Sequence, residues 1–408
     1  MTFFVADQER LLRHLHRDHP SHAEYLEFLK DTLGAFAASE VAPHAHDNDR
    51  DEVFREDTFR ALGQLGFMAL AYPPDLDGFG APFPYYVAGL ETLAKADAGF
   101  ALAVAIHGTT CEGIRRFASA ALRDRYLADL IHGRKIGCFC LSEAGAGSDA
   151  KAMRTTYVYD PGAHCYLLTG AKYWITNALS ADVFFVLAAD KAAPGKVSAF
   201  LVTRGAEGRF EQHKIEEKMG VRGSNTAELL FEDYRVPADH LIGDAGAGFG
   251  YAMAMLSGGR ITIGAWSTGI AQGAYEKLMK YAHERQLFGR FLADLDNTRK
   301  ELAEMAIEIA AGRALTYGAA FDYATGADIR AVAPIAKVKA TEAAFYVAER
   351  AIQLAGGYGF VGEARIERHL RDAVLGRIGE GANELLKVMV IPRLLIHEFQ
   401  QSGARDPW

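Results

Sequence analysis

The 408-residue sequence has only four cysteines, no excess of positive charge and no long uncharged apolar run. Cys111, Cys138, Cys140 and Cys165 form no CxxC or other metal-binding spacing, which favours reduced thiols and a cytoplasmic protein. The formal net charge of -8 argues against a nucleic-acid partner, because binding to phosphates requires a basic surface. No stretch reaches the roughly eighteen apolar residues of a membrane-spanning helix, so we expect no membrane partner.

The N-terminal segment gives no sign of export or of a metal site. Residues 1–9 contain early acids and no small-residue cleavage site, so they resemble neither a secretory signal nor a transit peptide. The histidines of residues 14–22 and 44–46 lie on polar segments without cysteine or a positioned carboxylate. We therefore expect solvated histidines and no bound metal.

The hydrophobic pattern changes twice along the chain. Residues 21–133 repeat at helical spacing, β-type runs follow, and helical spacing returns from Gly248 onward. The predicted strands cover residues 138–141, 155–159, 166–169, 173–175, 183–188, 197–202 and 229–236. The predicted C-terminal helices cover residues 251–283, 296–325, 329–354 and 383–400.

This order predicts the fold class and three domains. Consecutive short strands without intervening helices indicate an antiparallel barrel or sandwich, and long helices with short loops indicate an antiparallel bundle. We predict an α+β protein that is mostly α. An N-terminal helical domain (residues 1–137) precedes a central antiparallel β-barrel domain (138–245) and a C-terminal four-helix-bundle domain (246–408).

Glu380 is a candidate base because it lies between Gly379 and Gly381. Glycines let the backbone adopt positive φ and approach a ligand closely. A glutamate in a poorly hydrated pocket has a raised pKa, which suits proton abstraction. The alternative interpretation is a solvated loop residue before a helix that begins at Asn383.

A glycine-rich loop and an aromatic strand offer a second candidate site. Residues 139–149 leave a strand and expose backbone N–H groups, which suit a phosphate or the carbonyl edge of a ring. The loop is no dinucleotide fingerprint, because the third glycine of GxGxxG and the following helix are missing. Trp174 offers a flat face to an aromatic cofactor, although a single tryptophan in a strand is also typical of a core.

Two helix ends offer candidate diphosphate contacts. Residues 284–289 join an arginine to an aromatic side chain, and residues 353–360 contain three glycines. An arginine fork is a preferred partner for a diphosphate. Each segment alone is also typical of an ordinary helix C-terminus. In the first, a basic residue would interact with the helix dipole, and in the second a glycine would form the cap.

Taken together, these segments resemble the acyl-CoA dehydrogenase family over about residues 23–400. The matching stretches, in order, are residues 139–149, 172–177, 218–226, 231–237, 284–289, 353–360 and 380–384. The resemblance implies an FAD enzyme in which Glu380 removes the α-proton of an acyl thioester. The β-hydrogen leaves as hydride, and the product is the trans-2-enoyl thioester.

The resemblance also implies which residues bind the cofactor and substrate. Leu141 and Ser142 are expected at the flavin ring, Trp174 over it and Thr176 at its edge. Further FAD contacts are expected at Phe139, Gly147, Ser148 and Asn383. The adenosine diphosphate portion of a neighbouring subunit's FAD is expected to be reached by Arg285, Phe288, Gln353 and Gly357. Substrate contacts are expected at Ser148, Arg260, Gly379 and Gly381. Family members are commonly homotetramers that pass electrons to an electron-transfer flavoprotein, so we expect a tetramer or dimer with that partner.

Several positions depart from the family pattern. Some members carry the base just before the arginine that matches Arg260, but that position is Gly259 here, which leaves Glu380 as the base. Ala382 replaces a threonine that contacts FAD, and Gly379 replaces a bulky aromatic residue, which should widen the acyl pocket. Asp296 stands where a glutamine is common, which concerns FAD affinity. Ser257 stands where an aspartate is common, which weakens the case for a standard CoA contact.

Three alternatives stay open, and the departures bear on the first of them. One is an acyl carrier protein dehydrogenase of secondary metabolism, because a carrier shares the phosphopantetheine arm of CoA but lacks its adenosine. Another is an acyl-CoA oxidase, because oxygen reactivity depends on access to the reduced flavin. The third is an FAD-free helical scaffold.

Overall fold

The computed structural model describes residues 3–16 and 19–401. The outermost ends of the predicted first and third domains, residues 1–2 and 402–408, lie outside the described residues. The helices are α1 Phe3–His16, α2 His22–Glu27, α3 Gly34–Phe36, α4 Ala45–Asp51, α5 Glu56–Gln64, α6 Phe83–Ala96, α7 Ala98–Phe117, α8 Ala120–Ile131, α9 Gly248–Glu284, α10 Asp296–Thr325, α11 Val332–Ala355, α12 Gly357–Phe360, α13 Glu367–Ile378, α14 Asn383–Leu385 and α15 Ile391–Gln401. The strands are β1 Gly137–Cys140, β2 Thr156–Asp160, β3 Cys165–Thr176, β4 Val183–Asp190, β5 Val197–Thr203, β6 Arg209–Lys214, β7 Thr226–Pro237, β8 Leu241–Ile242, β9 Gln286–Leu287 and β10 Arg290–Phe291.

The chain folds into two compact units, and each draws on separate stretches of sequence. The first unit contains Met1–Ala37, Pro82–Ala98 and Arg260–Trp408, and the second contains Ala38–Ala81 and Gly99–Gly259. The first unit is helical except for the short β9–β10 hairpin, and the second contains the large sheet. None of the helices in the described part of the chain has the length and hydropathy that crossing a membrane requires.

In the first unit, α10 packs against α11, α6 and α1, and α11 packs against α13. Gly376 allows the close approach of α13, because an added Cβ would lie 3.0 Å from Thr341 Cγ2 and 3.2 Å from Trp266 Cζ3. Trp266 is fully buried, and its Nε1 donates to the carbonyl of Ala98 at 2.7 Å. Long apolar helix faces thus form the core of this unit.

A buried polar network joins four helices of the first unit. Arg313 of α10 is fully buried and donates to the Asp7 carboxylate of α1 at 3.0 Å and to Glu91 of α6 at 2.6 Å. It also donates to Gln272 of α9 at 2.6 Å, and Tyr317 donates to Glu91 at 3.1 Å. Two carboxylates and an amide oxygen therefore satisfy a guanidinium that burial would otherwise destabilise strongly.

The sheet of the second unit runs in the order β6-β7-β3-β2-β4-β5-β8, with β1 beside β4. Its central strand β4 is buried on both faces over most of its length, as its unbroken apolar sequence leads us to expect. The pairs β1–β4 and β2–β4 are parallel, so the sheet is not wholly antiparallel. No pairing among residues 3–16 and 19–401 joins β6 to β8, so the predicted closed barrel is not found.

Two strand predictions need correction. The predicted strands 166–169 and 173–175 are one strand, β3, which pairs with β7 throughout and contains register shifts at Leu168/Gly170 and Lys172/Ile175. Gly170, which has φ +144°, lies at the first shift, and its position resembled a turn in the sequence. Strand β6, Arg209–Lys214, is absent from the prediction because its polar sequence RFEQHK lacks the β-branched residues that mark a strand.

Candidate active site

The Glu380 loop follows α13 and has an unusual backbone. Gly381 has φ +96°, as the sequence predicts for a flanking glycine, but Gly379 has φ -69°. Glu380 itself has φ +54°. A non-glycine residue in this region costs about 1 to 3 kcal/mol and persists only where its surroundings hold it.

Two cations from different helices hold this loop. Arg260 of α9 donates from Nε to the Glu380 carbonyl at 3.2 Å. Lys337 of α11 donates from Nζ to the Gly381 carbonyl at 2.9 Å and to Asn383 Oδ1 at 2.8 Å. Lys337 is fully buried and Arg260 is 9% exposed. Consecutive carbonyls of the strained loop therefore each accept a charge-assisted hydrogen bond.

The carboxyl group of Glu380 is poorly satisfied. Its Oε2 is buried and has no hydrogen-bond partner in the described part of the chain. Burial raises the pKa of Glu380 to about 7, although the positive charges of Arg260 and Lys337 act to lower it. The raised pKa agrees with the sequence prediction. A carboxyl group of this kind can hold or release a proton near neutral pH.

Asn383 lies at the start of α14 and is fully buried. Its amide Nδ2 donates to Thr341 Oγ1 at 2.9 Å and to Glu342 Oε1 at 3.0 Å, while Oδ1 accepts from Lys337. The predicted start of a helix at Asn383 is confirmed. Contacts within the first unit thus occupy the side chain for which the sequence predicts an FAD contact.

In the second unit, Lys172 holds the loop that follows β1. Its Nζ, fully buried, donates to the Leu141 carbonyl at 3.1 Å and to Glu143 Oε1 at 2.8 Å. Glu143 Oε2 also accepts from the backbone N–H of Arg154 at 2.6 Å, and Tyr173 N–H donates to the Ser142 carbonyl at 2.9 Å. These bonds bring the Leu141–Ser142 backbone beside β3.

Glu143 is an ionised partner rather than a candidate acid or base. Burial acts to raise its pKa, but the charge of Lys172 and the N–H of Arg154 outweigh burial, so the pKa lies below its ordinary value. Burial lowers the pKa of Lys172, which the charge of Glu143 opposes. The two groups form a hydrogen-bonded buried ion pair.

The residues expected at the flavin ring and the FAD diphosphate lie on β1, the loop that follows it and β3 of the second unit. Trp174 is 54% exposed and has φ +59° at the second register shift of β3, which turns its indole outward. Leu141 is buried, Phe139, Ser142 and Thr176 are half-buried, and Gly147 and Ser148 are exposed. A Cβ added at Gly147 would meet no atom within 4 Å.

These features fit a flat, anionic cofactor such as FAD. An outward indole supplies a stacking face, and an open glycine-containing loop offers backbone N–H groups to a diphosphate. Exposed tryptophan is unusual without a ligand or partner, because its large apolar surface favours burial. The donor set of this unit therefore suits the cofactor that the sequence predicts.

The four residues expected at a neighbouring subunit's FAD lie on the surface of the first unit. Phe288 and Gly289 have φ +52° and +75° and form the two-residue turn between β9 and β10, in which Phe288 is 94% exposed. Arg285 precedes this turn, and Gln353 and Gly357 lie at the α11–α12 junction; all three are exposed. The rings of Tyr281 and Tyr358, 5.7 Å apart, bring the two segments together.

The sequence prediction missed Lys337, Lys172 and Glu143 as supports of these loops. For Lys337 a signal was available, because it lies on the apolar stripe of α11 with Ala333, Ala336 and Ala340, where a lysine must find a polar partner. For Lys172 the register shifts of β3 hide the alternation that would predict burial.

The chain belongs to the acyl-CoA dehydrogenase family. Family models described as the N-terminal, middle and C-terminal domains of acyl-CoA dehydrogenase match residues 24–134, 138–234 and 246–395. The resemblance stated from the sequence is therefore confirmed, as is a mostly helical α+β fold with N-terminal, middle and C-terminal domains. The protein is accordingly an oxidoreductase of this family.

Relatives with named activities cover nearly the whole chain. The chain is 37% identical to the mitochondrial short-chain specific acyl-CoA dehydrogenase of Mus musculus, over 90% of this chain and 90% of that protein. It is 36% identical to acryloyl-CoA reductase (NADH) of Anaerotignum propionicum, over 89% and 93%. The solved structure of butyryl-CoA dehydrogenase from Megasphaera elsdenii shares 34% identity and a TM-score of 0.88, covering 91% of this chain and 98% of that one.

Proposed function

We propose that the protein is an FAD-dependent acyl-CoA dehydrogenase that converts an acyl-CoA to its trans-2-enoyl thioester. The observation that carries this proposal is the Glu380 carboxyl group, which has a buried oxygen without a partner and a pKa raised to about 7. The family of the chain and the activities named for its relatives support the same reaction.

Glu380 is the general base of the proposed reaction. An α-C–H next to a thioester carbonyl is a weak acid, so its removal requires a positioned base that is ionised near neutral pH and poorly solvated. Glu380 takes this proton, and Gly379 beside it leaves room for the acyl chain. A Cβ at Gly379 would approach only the Leu375 carbonyl, at 3.5 Å, among atoms of other described residues.

FAD, when bound, supplies the acceptor of the β-hydride. We assign its flavin ring to Leu141, Ser142, Trp174 and Thr176, and its diphosphate side to Gly147 and Ser148. Phe139 supports the loop from within, because it packs against the core of the second unit. Asn383 acts indirectly, since its amide bonds hold the start of α14.

The substrate class is a short-chain acyl-CoA. Support comes from the short-chain and butyryl-CoA enzymes among the relatives. Ser148, Arg260, Gly379 and Gly381 are the proposed substrate contacts. Arg260 donates its Nε to the Glu380 carbonyl, and its positive charge acts on the Glu380 carboxyl group.

The remaining assignments concern assembly. We propose a homotetramer or dimer in which Arg285, Phe288, Gln353 and Gly357 reach the FAD of a neighbouring subunit, and an electron-transfer flavoprotein as acceptor. The limits of the three family models support domains at 1–137, 138–245 and 246–408, the last with a four-helix bundle of α9, α10, α11 and α13. The four free, buried cysteines suit a cytoplasmic enzyme.

The test is anaerobic reduction of the bound flavin by a panel of acyl-CoAs of increasing chain length. Wild-type enzyme should be bleached fastest by short chains. Glu380→Gln should retain FAD but lose the rate by several orders of magnitude, because an amide cannot act as the base. Glu384→Gln, an exposed carboxylate four residues away, is the matched control and should behave as wild type.

Other outcomes would contradict the proposal. Faster bleaching by acyl groups on acyl carrier protein would indicate a carrier-dependent enzyme, and rapid reoxidation by oxygen with peroxide release would indicate an oxidase. A colourless purified protein would indicate a scaffold. Wild-type rates in Glu380→Gln would remove Glu380 as the base.

A further inference from the structure

Lys337 is buried where α11 is otherwise built from small apolar residues. It is fully buried, with Ala333, Ala336 and Ala340 on the same stripe, and its ammonium group faces the chain segment that carries Glu380. A buried ammonium is costly unless it is well hydrogen-bonded. A methionine would fill a similar volume without the cost of burying a charge, so we expect the lysine at this position to have a specific role.

The hydrogen bonds of Lys337 lie on the C-terminal side of Glu380. The Gly381 carbonyl accepts at 2.9 Å and Asn383 Oδ1 at 2.8 Å, and both acceptors are neutral. Arg260 completes the arrangement with its bond to the Glu380 carbonyl at 3.2 Å. The left-handed backbone at Glu380 and Gly381 is thus fixed by donors from two helices rather than by glycine alone.

The charged groups around Lys337 leave its charge available to Glu380. Arg260, Glu380, Glu342 and Glu384 act on it electrostatically. Glu342 is already engaged with Lys387 at 2.9 Å and Arg377 at 3.2 Å. Glu384 is exposed and therefore screened by solvent. Glu380 is the remaining carboxyl group in this set, and its Oε2 has no hydrogen-bond partner in the described chain.

We propose that Lys337 is a positioning residue for the base: it holds the backbone that aims Glu380, and its charge favours the ionised carboxylate. This inference rests on the proposed function, because it gives Lys337 a part in the same proton abstraction. It assigns Lys337 no contact with substrate or cofactor. Burial lowers the pKa of Lys337 to about 7, so its acidity and that of Glu380 depend on each other.

Two variants separate this role from general stability. Lys337→Met removes donor and charge with little change in volume, and Lys337→Gln removes the charge but keeps a shorter donor. Lys339→Met is the control, since Lys339 lies on the same helix but pairs with Glu308 on a more exposed face. FAD content and thermal midpoint are measured for each holoenzyme.

The first readout is the anaerobic flavin-reduction rate with saturating butyryl-CoA across pH. The midpoint of the acid limb should move up by about one pH unit in both Lys337 variants, because a neighbouring positive charge that favours the carboxylate is lost. The high-pH plateau should fall at least about tenfold in Lys337→Met, because a misaimed base transfers protons poorly, and less in Lys337→Gln. Lys339→Met should change neither quantity.

The second readout needs no turnover. Carboxyl ¹³C NMR of labelled glutamate, with Glu380 assigned by difference against Glu380→Gln, gives the titration midpoint of Glu380 directly. That midpoint should rise by about one pH unit in Lys337→Met. An unchanged midpoint, or a plateau rate in Lys337→Met within twofold of wild type, overturns the inference. Failure of wild-type enzyme to reduce its flavin would instead count against the proposed function, while the NMR titration would still decide the coupling of Lys337 to Glu380.

Discussion

Each of the two units contains a fully buried lysine that donates hydrogen bonds to a loop of the candidate site, but the two lysines have different partners. Lys172 bonds the Leu141 carbonyl and the Glu143 carboxylate, whereas Lys337 bonds the Gly381 carbonyl and the Asn383 amide oxygen. The first lysine has a direct counterion, and the second has only neutral acceptors within hydrogen-bonding distance among the described residues. Lys172 therefore fixes the Leu141–Ser142 loop. Lys337 fixes the Glu380 loop, and its positive charge can also act on the Glu380 carboxyl group.

The carboxyl groups Glu143 and Glu380 also differ in their hydrogen-bond partners and in the direction of their pKa shifts. Glu143 accepts three hydrogen bonds within 3.0 Å, and its pKa is lowered, whereas the pKa of Glu380 is raised to about 7. Burial acts to raise both pKa values. At Glu143 the charge of Lys172 and the hydrogen bonds to the ionised form outweigh burial, whereas at Glu380 burial outweighs the charges of Arg260 and Lys337, so Glu143 is assigned a structural role and Glu380 a reactive one.

The largest expected effect on stability is that of Lys172→Met. Removing the lysine leaves Glu143 ionised and buried without its counterion, which should lower the free energy of unfolding by about 3 to 5 kcal/mol. Lys337→Met should cost less, about 1 to 3 kcal/mol, because it leaves neutral acceptors unpaired. Urea denaturation of both variants measures the difference, and a larger loss in Lys337→Met would reverse the comparison.

A double substitution should recover much of the Lys172 loss. In Lys172→Met with Glu143→Leu no buried charge remains, so stability should return to within about 2 kcal/mol of wild type. FAD retention should stay low, because the Leu141–Ser142 loop loses its bonds to β3. If the double variant is as unstable as Lys172→Met, the ion pair is not the cause of that loss.

The pH dependence of stability should have opposite signs for the two carboxyl groups. Glu380 has a folded pKa of about 7 above its ordinary 4.5, so wild type should lose about 1 to 3 kcal/mol as pH rises between these values, and Glu380→Gln should not. The folded pKa of Glu143 is depressed, so its contribution is present above pH 4.5 and is lost as pH falls through the folded pKa. Unfolding free energies from pH 2 to 8 for wild type, Glu380→Gln and Glu143→Gln test both signs.

The smallest effect is expected at an exposed pair. Lys339 and Glu308 lie 2.5 Å apart, with about a third of each side chain exposed. Lys339→Met should change the free energy of unfolding by less than about 1 kcal/mol, because solvent screens such pairs. A loss comparable to that of Lys337→Met would mean that the stability change follows from altering α11 rather than from the buried contacts.

Much of the fold could be predicted from the sequence where the periodicity is strong. Helix α10 has the predicted bounds, 296–325, and the helical, β, helical order is confirmed. The prediction failed where local pattern and tertiary pairing disagree. Strand β6 is too polar to be recognised, and the bulged β3 looks like two strands separated by a turn.

The features of the candidate site also divide into those that the sequence could predict and those that it could not. Glu380 could be singled out by its flanking glycines, and its raised pKa could be expected from a dry pocket. The positive φ of Glu380 could not be predicted, because this left-handed backbone depends on hydrogen bonds from Arg260 and Lys337, which are distant in sequence. Long-range hydrogen bonds of this kind leave no local signal.

The Arg313 network affects when the first unit can fold during synthesis of the protein. Asp7 and Glu91 are made early, but the guanidinium that neutralises them is 306 residues after Asp7. At a translation rate of about 5 to 20 residues per second, Asp7 is added to the chain about 15 to 60 s before Arg313. During that interval Asp7 of α1 and Glu91 of α6 lack the guanidinium that joins them, so the first unit can close only after most of the chain is made. All residues of the second unit, in contrast, are available once Gly259 has emerged.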